Sequence, residues 1–491
     1  MTRLSNAAKL SAGVQASNYA RSAKSGIVHI GVGAFHKAHQ AVYTDLAMED
    51  AGGDWMITGV SLRSSDVAEG LNPQNGLYTL LTRGPDGVSA RVVRSIANVL
   101  VAPENPKAVL DALTAPETKI VSLTITEKGY GLDPKTGGLD KGHPAIAADI
   151  ANPNTPQGAV GFIVEALRLR REKGTAPFTV LCCDNLPSNG KVLRKLVLEF
   201  AKLRDPQLAD FIKKSVPFPS TMVDRITPAS TDKTFADAER LTGFEDRAAV
   251  ETEPFVQWII EDDFVAGRPK WEAADAVFVR DVAPYEKMKL RLLNGAHSML
   301  AYSGFIAGKK YVRDVMQDAD HVILIERQMR EVAKTLEPVP GIDLEHYARE
   351  LRERFANPAI EHQTYQIAMD GTQKLPQRII EPAVIALKRK LPLDAYVFAV
   401  AAWMRYILGM SETGEKYALR DPREAEIATL LNGANRDAGS IVDRLLDLSG
   451  LFPVELSGAP EWNTAVRQRL ETMLAKSMRD AIAEEAEKCR A

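Results

Sequence analysis

The 491-residue chain is 45% hydrophobic, enough apolar material for two cores and too long for one typical domain. Its 61 basic and 64 acidic residues leave a formal net charge of −3, so charge gives no reason to expect nucleic acid or an anionic membrane as partner. The three cysteines, Cys182, Cys183 and Cys489, lack zinc-ligand spacing and make a disulfide framework implausible, a usage that fits a reducing cytoplasm. The N-terminus has no apolar signal core, and the apolar run 395–404 is too short to span a bilayer. A soluble cytoplasmic protein is expected.

In chain order, residues 26–30 read as a strand that runs into the glycine turn GVGAFH at 31–36, followed by a helical pattern to Leu46. Residues 55–62 read as a second strand, and 90–93, 120–126 and 178–183 as further strands. Helical segments such as 106–113 and 160–173 lie between them, and this alternation predicts a largely parallel, doubly wound α/β sheet of Rossmann type. Residues 129–157, rich in Gly, Pro, Asp and Asn, read as a long surface excursion near a site. From Tyr285 onward helical patterns dominate, at 285–305, 322–335, 344–355, 395–410 and 462–490. The expected division is an α/β dinucleotide-binding domain at 1–284 and a mostly α-helical domain at 285–491. No internal repeat or low-complexity segment is present.

A glycine turn between a first strand and its helix lets the backbone approach a pyrophosphate, with the helix N-terminus supplying amide donors. Gly31 and Gly33 stand where that geometry needs them, with Ala34 and Phe35 next, and His36 takes the place of the usual third glycine. An ordinary tight turn is about equally compatible with GxG alone. At the end of the second strand, Asp66 suits a ribose hydroxyl and Arg63 suits a 2′-phosphate, so NAD is favoured and NADP stays open. Asp66 could equally serve as a helix N-cap.

The most informative stretch is KLRLLNGAH at 289–297, which spaces Lys289, Asn294 and His297 as KxxxxNxxH. On a regular helix, at about 100° per residue, the three fall within an arc of about 140°. Leu292, Ala296 and Leu300 line a different, apolar face. Taken as a generic helix, the stretch would more often present Lys287, Lys289 and Arg291 to solvent. Taken as a site, it holds the parts for alcohol–ketone chemistry. A lysine can accept the hydroxyl proton if burial lowers its pKa toward neutrality. An asparagine amide can donate to a developing alkoxide, and a histidine can orient the oxygen. No metal is needed in that scheme.

At this point the chain resembles the mannitol dehydrogenase family, also called the polyol-specific long-chain dehydrogenases, over nearly its whole length. The motifs that carry the resemblance are GVGAFHKAH (31–39), SLTITE (122–127), CDNLP (183–187), MVDRITP (222–228) and the KxxxxNxxH segment. The resemblance implies a Rossmann-type domain, a helical domain, a substrate site in the cleft between them, and Lys289 as acid/base. It also implies Asn185 and Asn294 as an oxyanion-holding pair, His297 as orienter of the reactive oxygen, Asp224 in the substrate site and Glu127 on a proton route. Asn185 and Asp224 sit in or near proline-containing loops where such residues often only cap turns, and Glu127 could be a surface charge.

Within that family, YQIAMDGTQKLPQR (365–378) looks most like the reductases of sugar acids, because mannitol-type members align an arginine where Gln366 stands. EDDFVAGRP (261–269) and FPSTM (218–222) look similar to the same group. A sugar-acid carboxylate requires a cation, for which Lys374 and Arg378 are candidates, although both could be loop surface residues. The expected reaction is NADH-dependent interconversion of D-fructuronate and D-mannonate. The alternatives are mannitol 2-dehydrogenase activity, a catalytically silent nucleotide-binding homologue and a zinc-dependent dehydrogenase. The resemblance implies a monomer or weak oligomer, with a small sugar acid or polyol as the only partner.

Overall fold

The fold is described from a computed structural model, which covers residues 2–21, 24–133, 136–433, 435 and 437–490, with the backbone alone at Glu127 and Lys128. The chain divides into two compact units, Met1–Glu286 and Lys287–Ala491.

Five short strands form the centre of the first unit: β1 (Ile27–Ile30), β2 (Ile57–Ser61), β3 (Ile96–Val101), β4 (Ile120–Leu123) and β5 (Thr179–Cys182). They pair entirely in parallel in the order β3-β2-β1-β4-β5. Their sequences, such as IVHI and IVSL, are nearly continuous runs of buried side chains rather than alternating ones. Parallel strands covered by helices on both faces require this composition. Successive residues supply the two faces: Val28, Ile30 and Val121 join one core cluster, and Ile27, Ile57 and Ile120 the other. The strand order reverses between β1 and β4, and ligands of open α/β sheets bind outside the carboxyl ends of strands at such a reversal.

The strand expected at 90–93 is part of an antiparallel hairpin, Tyr78–Gly84 with Gly87–Val93, and not of the parallel sheet. A second mixed sheet holds Thr221–Asp224 against Gln257–Glu261. The excursion at 129–157 contains the helix Pro144–Ala151, started by proline at its first position.

Among the described residues, the named elements of the second unit are all helical, joined by isolated bridges such as Tyr311 to Gln363. The long element 283–306, within which the division at Glu286 falls, is interrupted: α-helix Ala283–Lys289 passes through a π turn, Leu290–Asn294, before α-helix Gly295–Ile306 resumes. A second π turn, Pro376–Ile380, follows the helix Gly371–Leu375 and packs against the first. Helix Asp394–Tyr406, expected from the apolar run near 395, is buried along almost its whole length. The helical tail is two helices, Pro460–Ala475 and Met478–Arg490. Among the described residues no helix is long and apolar enough to cross a membrane.

Candidate active site

The glycine turn sits at the strand-order reversal. Gly31 has φ +94°, and a Cβ there would lie 2.3 Å from the Thr124 carbonyl oxygen, so only glycine fits. Gly33 is different. Its φ of −103° is ordinary, it is exposed, and a Cβ would meet nothing nearer than 4.0 Å. The chain itself therefore gives no reason for glycine at 33, whereas close approach of a ligand to the backbone would. Ala34 and Phe35 are half-buried.

His36 is fully buried, and its ring stacks on His29 of β1 with centroids 3.4 Å apart. It thus packs the first helix onto the sheet, which is the work of the third glycine in the usual fingerprint. His29 bonds the Ser122 hydroxyl through Nδ1 at 2.8 Å and the Thr124 hydroxyl through Nε2 at 2.9 Å, while Thr124 donates to the Gly31 carbonyl at 2.7 Å. Burial pushes the His29 imidazole down to about 3 and that of His36 well below its usual range, so both are neutral. After β2, Arg63 and Asp66 are both exposed. Asp66 is the first residue of helix Asp66–Leu71 behind Ser65, and its carboxylate accepts from the Ser64 hydroxyl at 2.9 Å.

The loop after β5 carries Asn185, which is exposed. Its frame is fixed: Asn189 donates to the carbonyls of Asp184 at 3.0 Å and Thr221 at 2.9 Å, and the Ser188 amide donates to Glu286 at 2.7 Å. Asp184 accepts the Tyr130 hydroxyl at 2.6 Å and the Ile125 amide at 2.9 Å, which joins this loop to the one after β4. In that loop Thr126 holds φ +65° and ψ 159°, a region nearly reserved for glycine and a strain that commonly accompanies functional sites. Glu127 opens the turn Glu127–Tyr130, and its side chain lies outside the described residues. Asp224 ends the strand Thr221–Asp224 and is 3% exposed.

In the second unit, Lys289 is 5% exposed, Asn294 8% and His297 5%, and Arg291 is buried too. Of the three basic side chains that a solvated face would present, only Lys287 is exposed. The regular-helix arc is also replaced. In a π turn residue i+5 bonds residue i, so residues five apart come nearly one above the other. Lys289 and Asn294 are five apart, and the π turn lies between them.

His297 stacks on Phe355 with centroids 4.3 Å apart and meets His362 edge-on at 5.2 Å. Its Nε2 is buried without a hydrogen-bond partner. Burial, then the positive influence of His362, Arg354, Arg378 and Lys289, holds it well below the usual imidazole range. It is a neutral ring with one nitrogen available to a hydroxyl or carbonyl. Phe355, His362 and Arg354 are the neighbours that sequence reasoning missed, since nothing in their spacing links them to His297.

Lys374 donates to the carbonyls of Ile367 at 3.2 Å and Met369 at 2.6 Å. Arg378, in the second π turn, donates to the Asn294 carbonyl at 3.4 Å and to the Ser298 hydroxyl at 3.3 Å. Gln366 is exposed on helix Thr364–Ala368. Among the described residues no three His, Cys, Asp or Glu side chains form a group that could hold a metal.

A parallel nucleotide-type sheet with a glycine turn at its reversal point in one unit, and a buried lysine, amide and imidazole in the other, are the parts that an oxidoreductase uses. Comparison with known proteins identifies which kind. The mannitol dehydrogenase Rossmann domain model matches residues 25–273 and the mannitol dehydrogenase C-terminal domain model matches 281–474, so the chain belongs to the mannitol dehydrogenase family. D-mannonate oxidoreductase of Escherichia coli is 43% identical over 466 residues, covering 94% of this chain and 95% of that protein. Mannitol 2-dehydrogenase of Pyricularia oryzae is 40% identical over 457 residues, covering 91% and 90%. Among solved structures, Pseudomonas fluorescens mannitol 2-dehydrogenase in ternary complex with NAD and D-mannitol superposes with a TM-score of 0.91, at 38% identity over 99% of this chain and 100% of that one.

Proposed function

We propose that the protein interconverts a secondary alcohol and a ketone on a sugar acid, D-mannonate and D-fructuronate, with NAD(H) and without a metal. The observation that carries this reading is the burial of Lys289, Asn294 and His297 around one π turn, with His297 neutral and its Nε2 unpartnered. Gly31, Gly33, Ala34, Phe35 and the backbone of His36 would hold the cofactor pyrophosphate, and Asp66 its ribose; the bare Gly33 Cα supports this fit. Arg63 beside Asp66 keeps NADP as the test's other outcome. When bound, the cofactor supplies or accepts the hydride.

The chain's own groups do the rest. Asn294, joined by Asn185, donates hydrogen bonds to the substrate oxygen, stabilising the negative charge that builds there during reduction. Lys289 delivers the proton that neutralises it, and takes it back in oxidation. His297 fixes the same oxygen, Asp224 and Gln366 bind substrate hydroxyls, and Glu127 passes the proton onward. Lys374 or Arg378 faces the carboxylate. The cations felt by His297, namely Arg354, Arg378 and Lys289, suit an anionic substrate.

A turnover screen with NADH and NADPH against fructuronate, fructose and tagaturonate, with and without chelator, tests the proposal. Rapid NADH oxidation with fructuronate alone supports it. Turnover with fructose restores the mannitol reading, which relatives of similar identity also carry. Loss of activity on chelation overturns the metal-free mechanism, and NADH binding without any turnover leaves a silent homologue.

A further inference from the structure

The two π turns of the second unit are tied to each other by exchanged arginines. From the first turn, Arg291 reaches Glu381, the residue just after the second turn, at 3.8 Å, and also donates to the Thr335 carbonyl at 3.1 Å. From the second turn, Arg378 reaches back to the Asn294 carbonyl and the Ser298 hydroxyl. Contact between the backbones is close enough that a Cβ on Gly295 would lie 3.0 Å from the Arg378 carbonyl oxygen. A π turn departs from the regular i→i−4 ladder, and its geometry needs outside support. Arg378 gives it at the Asn294 carbonyl, and Arg291 ties the first turn to the Thr335 carbonyl and to Glu381.

We propose that Arg378 is a positioning residue of the reaction: through the Asn294 carbonyl it holds the 290–294 π turn, and thereby sets the Asn294 amide against Lys289. This rests on the reading of Lys289 and Asn294 as the reacting groups. It assigns Arg378 a task independent of any substrate carboxylate. An amide donor displaced by about 1 Å loses much of its effect on the transition state, so the turn's register is worth holding.

The test is a double-mutant cycle on Arg378→Met and Asn294→Ala, assayed with both a sugar acid and a neutral polyol, beside Arg378→Lys. Arg378→Met is expected to lower kcat about 30- to 100-fold on either substrate while moving KM less than threefold. Arg378→Lys, which can restore one of the two bonds, should recover part of that loss. In the Asn294→Ala background Arg378→Met should cost less than threefold, because the group it positions is gone. Hydrogen exchange across 290–298 should accelerate in Arg378→Met, and NADH affinity should not change.

Fully additive losses would overturn the proposal, as would a rise in KM confined to the sugar acid, which would make Arg378 a carboxylate ligand. Unchanged kcat in Asn294→Ala alone would instead sink the underlying reading of Asn294. If Arg378→Met fails to fold, Arg378→Lys carries the cycle, and additivity there has the same meaning.

Discussion

Acid should loosen the nucleotide-type unit through a histidine far from any surface. His29 lies under the glycine turn, 0% exposed, and burial holds its imidazole at about 3 in the folded chain. An unfolded histidine titrates near ~6.5. Between those values the unfolded chain binds the proton and the folded chain does not, so stability is lost as pH falls below about 6.5. Each pH unit costs about 1.4 kcal/mol, so at pH 5 the loss from His29 alone is about 2 kcal/mol relative to pH 7.5. That figure is set by the unfolded value and barely depends on how far below pH 5 the folded group titrates. The perturbation is His29→Gln, which keeps polar contact with Ser122 or Thr124 but cannot titrate. The assay is hydrogen exchange of the Ile27–Ile30 and Ile120–Leu123 amides, corrected for intrinsic rates, as a function of pH. At pH 7.5 the variant should be less stable by about 1–3 kcal/mol. By pH 5 the gap should narrow by about 2 kcal/mol. Parallel curves would show that His29 is not held neutral, and the buried network beneath Gly31 would need another account.

Three further outcomes are expected. Lys289→Ala should lower kcat at least 100-fold with NADH binding intact, in line with general acid/base contributions of about 10²–10⁴; steady-state kinetics retaining most of the rate would remove Lys289 from the mechanism. Gly31→Ala should destabilise the fold through its positive φ and the Thr124 collision, whereas Gly33→Ala should leave stability within about 0.5 kcal/mol but weaken NADH at least tenfold by titration calorimetry. Unweakened NADH binding in Gly33→Ala would move the pyrophosphate elsewhere. Because His297 is neutral well below its usual range, the pH profile of kcat/KM should carry no limb near 6.5; His297→Asn should lose about tenfold, the worth of about one buried hydrogen bond, without shifting the remaining limb. Disappearance of a limb near 6.5 in that variant would mean that His297 titrates after all.

Much of the first unit was legible because parallel strands announce themselves. IVHI, IVSL and TVLC are short apolar runs between helical patterns, and all three are buried strands of the parallel sheet. The hairpin at Tyr78–Gly84 and Gly87–Val93 was less legible. Its second strand mixes exposed and buried positions, and its register comes from a tight connection at Gly84 and Gly87 rather than from hydrophobic period. In the second unit helices were readable from their 3.6-residue pattern, as at Leu344–Ala356, but their environment was not. His362 and Phe355 wall His297 from sequence distances of 65 and 58 residues, which no local pattern encodes. Lys374 and Arg378 read as candidate cations for a carboxylate or as loop surface residues; the first donates to carbonyls at the end of the preceding helix and the second reaches into the Asn294 turn.

The KxxxxNxxH spacing itself makes better sense with the π turn than without it. On an unbroken α-helix Lys289 and Asn294 diverge by about 140°, too far to serve one substrate atom comfortably. Spacings of three or four residues would bring them together on such a helix, and a spacing of five does so only where the chain bonds i to i+5. The sequence thus carried the trace of the distortion, a pair of chemically suited residues at a helix-incompatible interval, without any residue that marks a π turn by propensity. What meets the turn lies 84 residues on from Asn294: the Arg378 backbone comes close to Gly295 and its side chain donates to the Asn294 carbonyl. On the proposed roles of Lys289 and Asn294, the spacing of proton donor and oxyanion donor would then depend on packing between two helical segments, which the local sequence only makes possible.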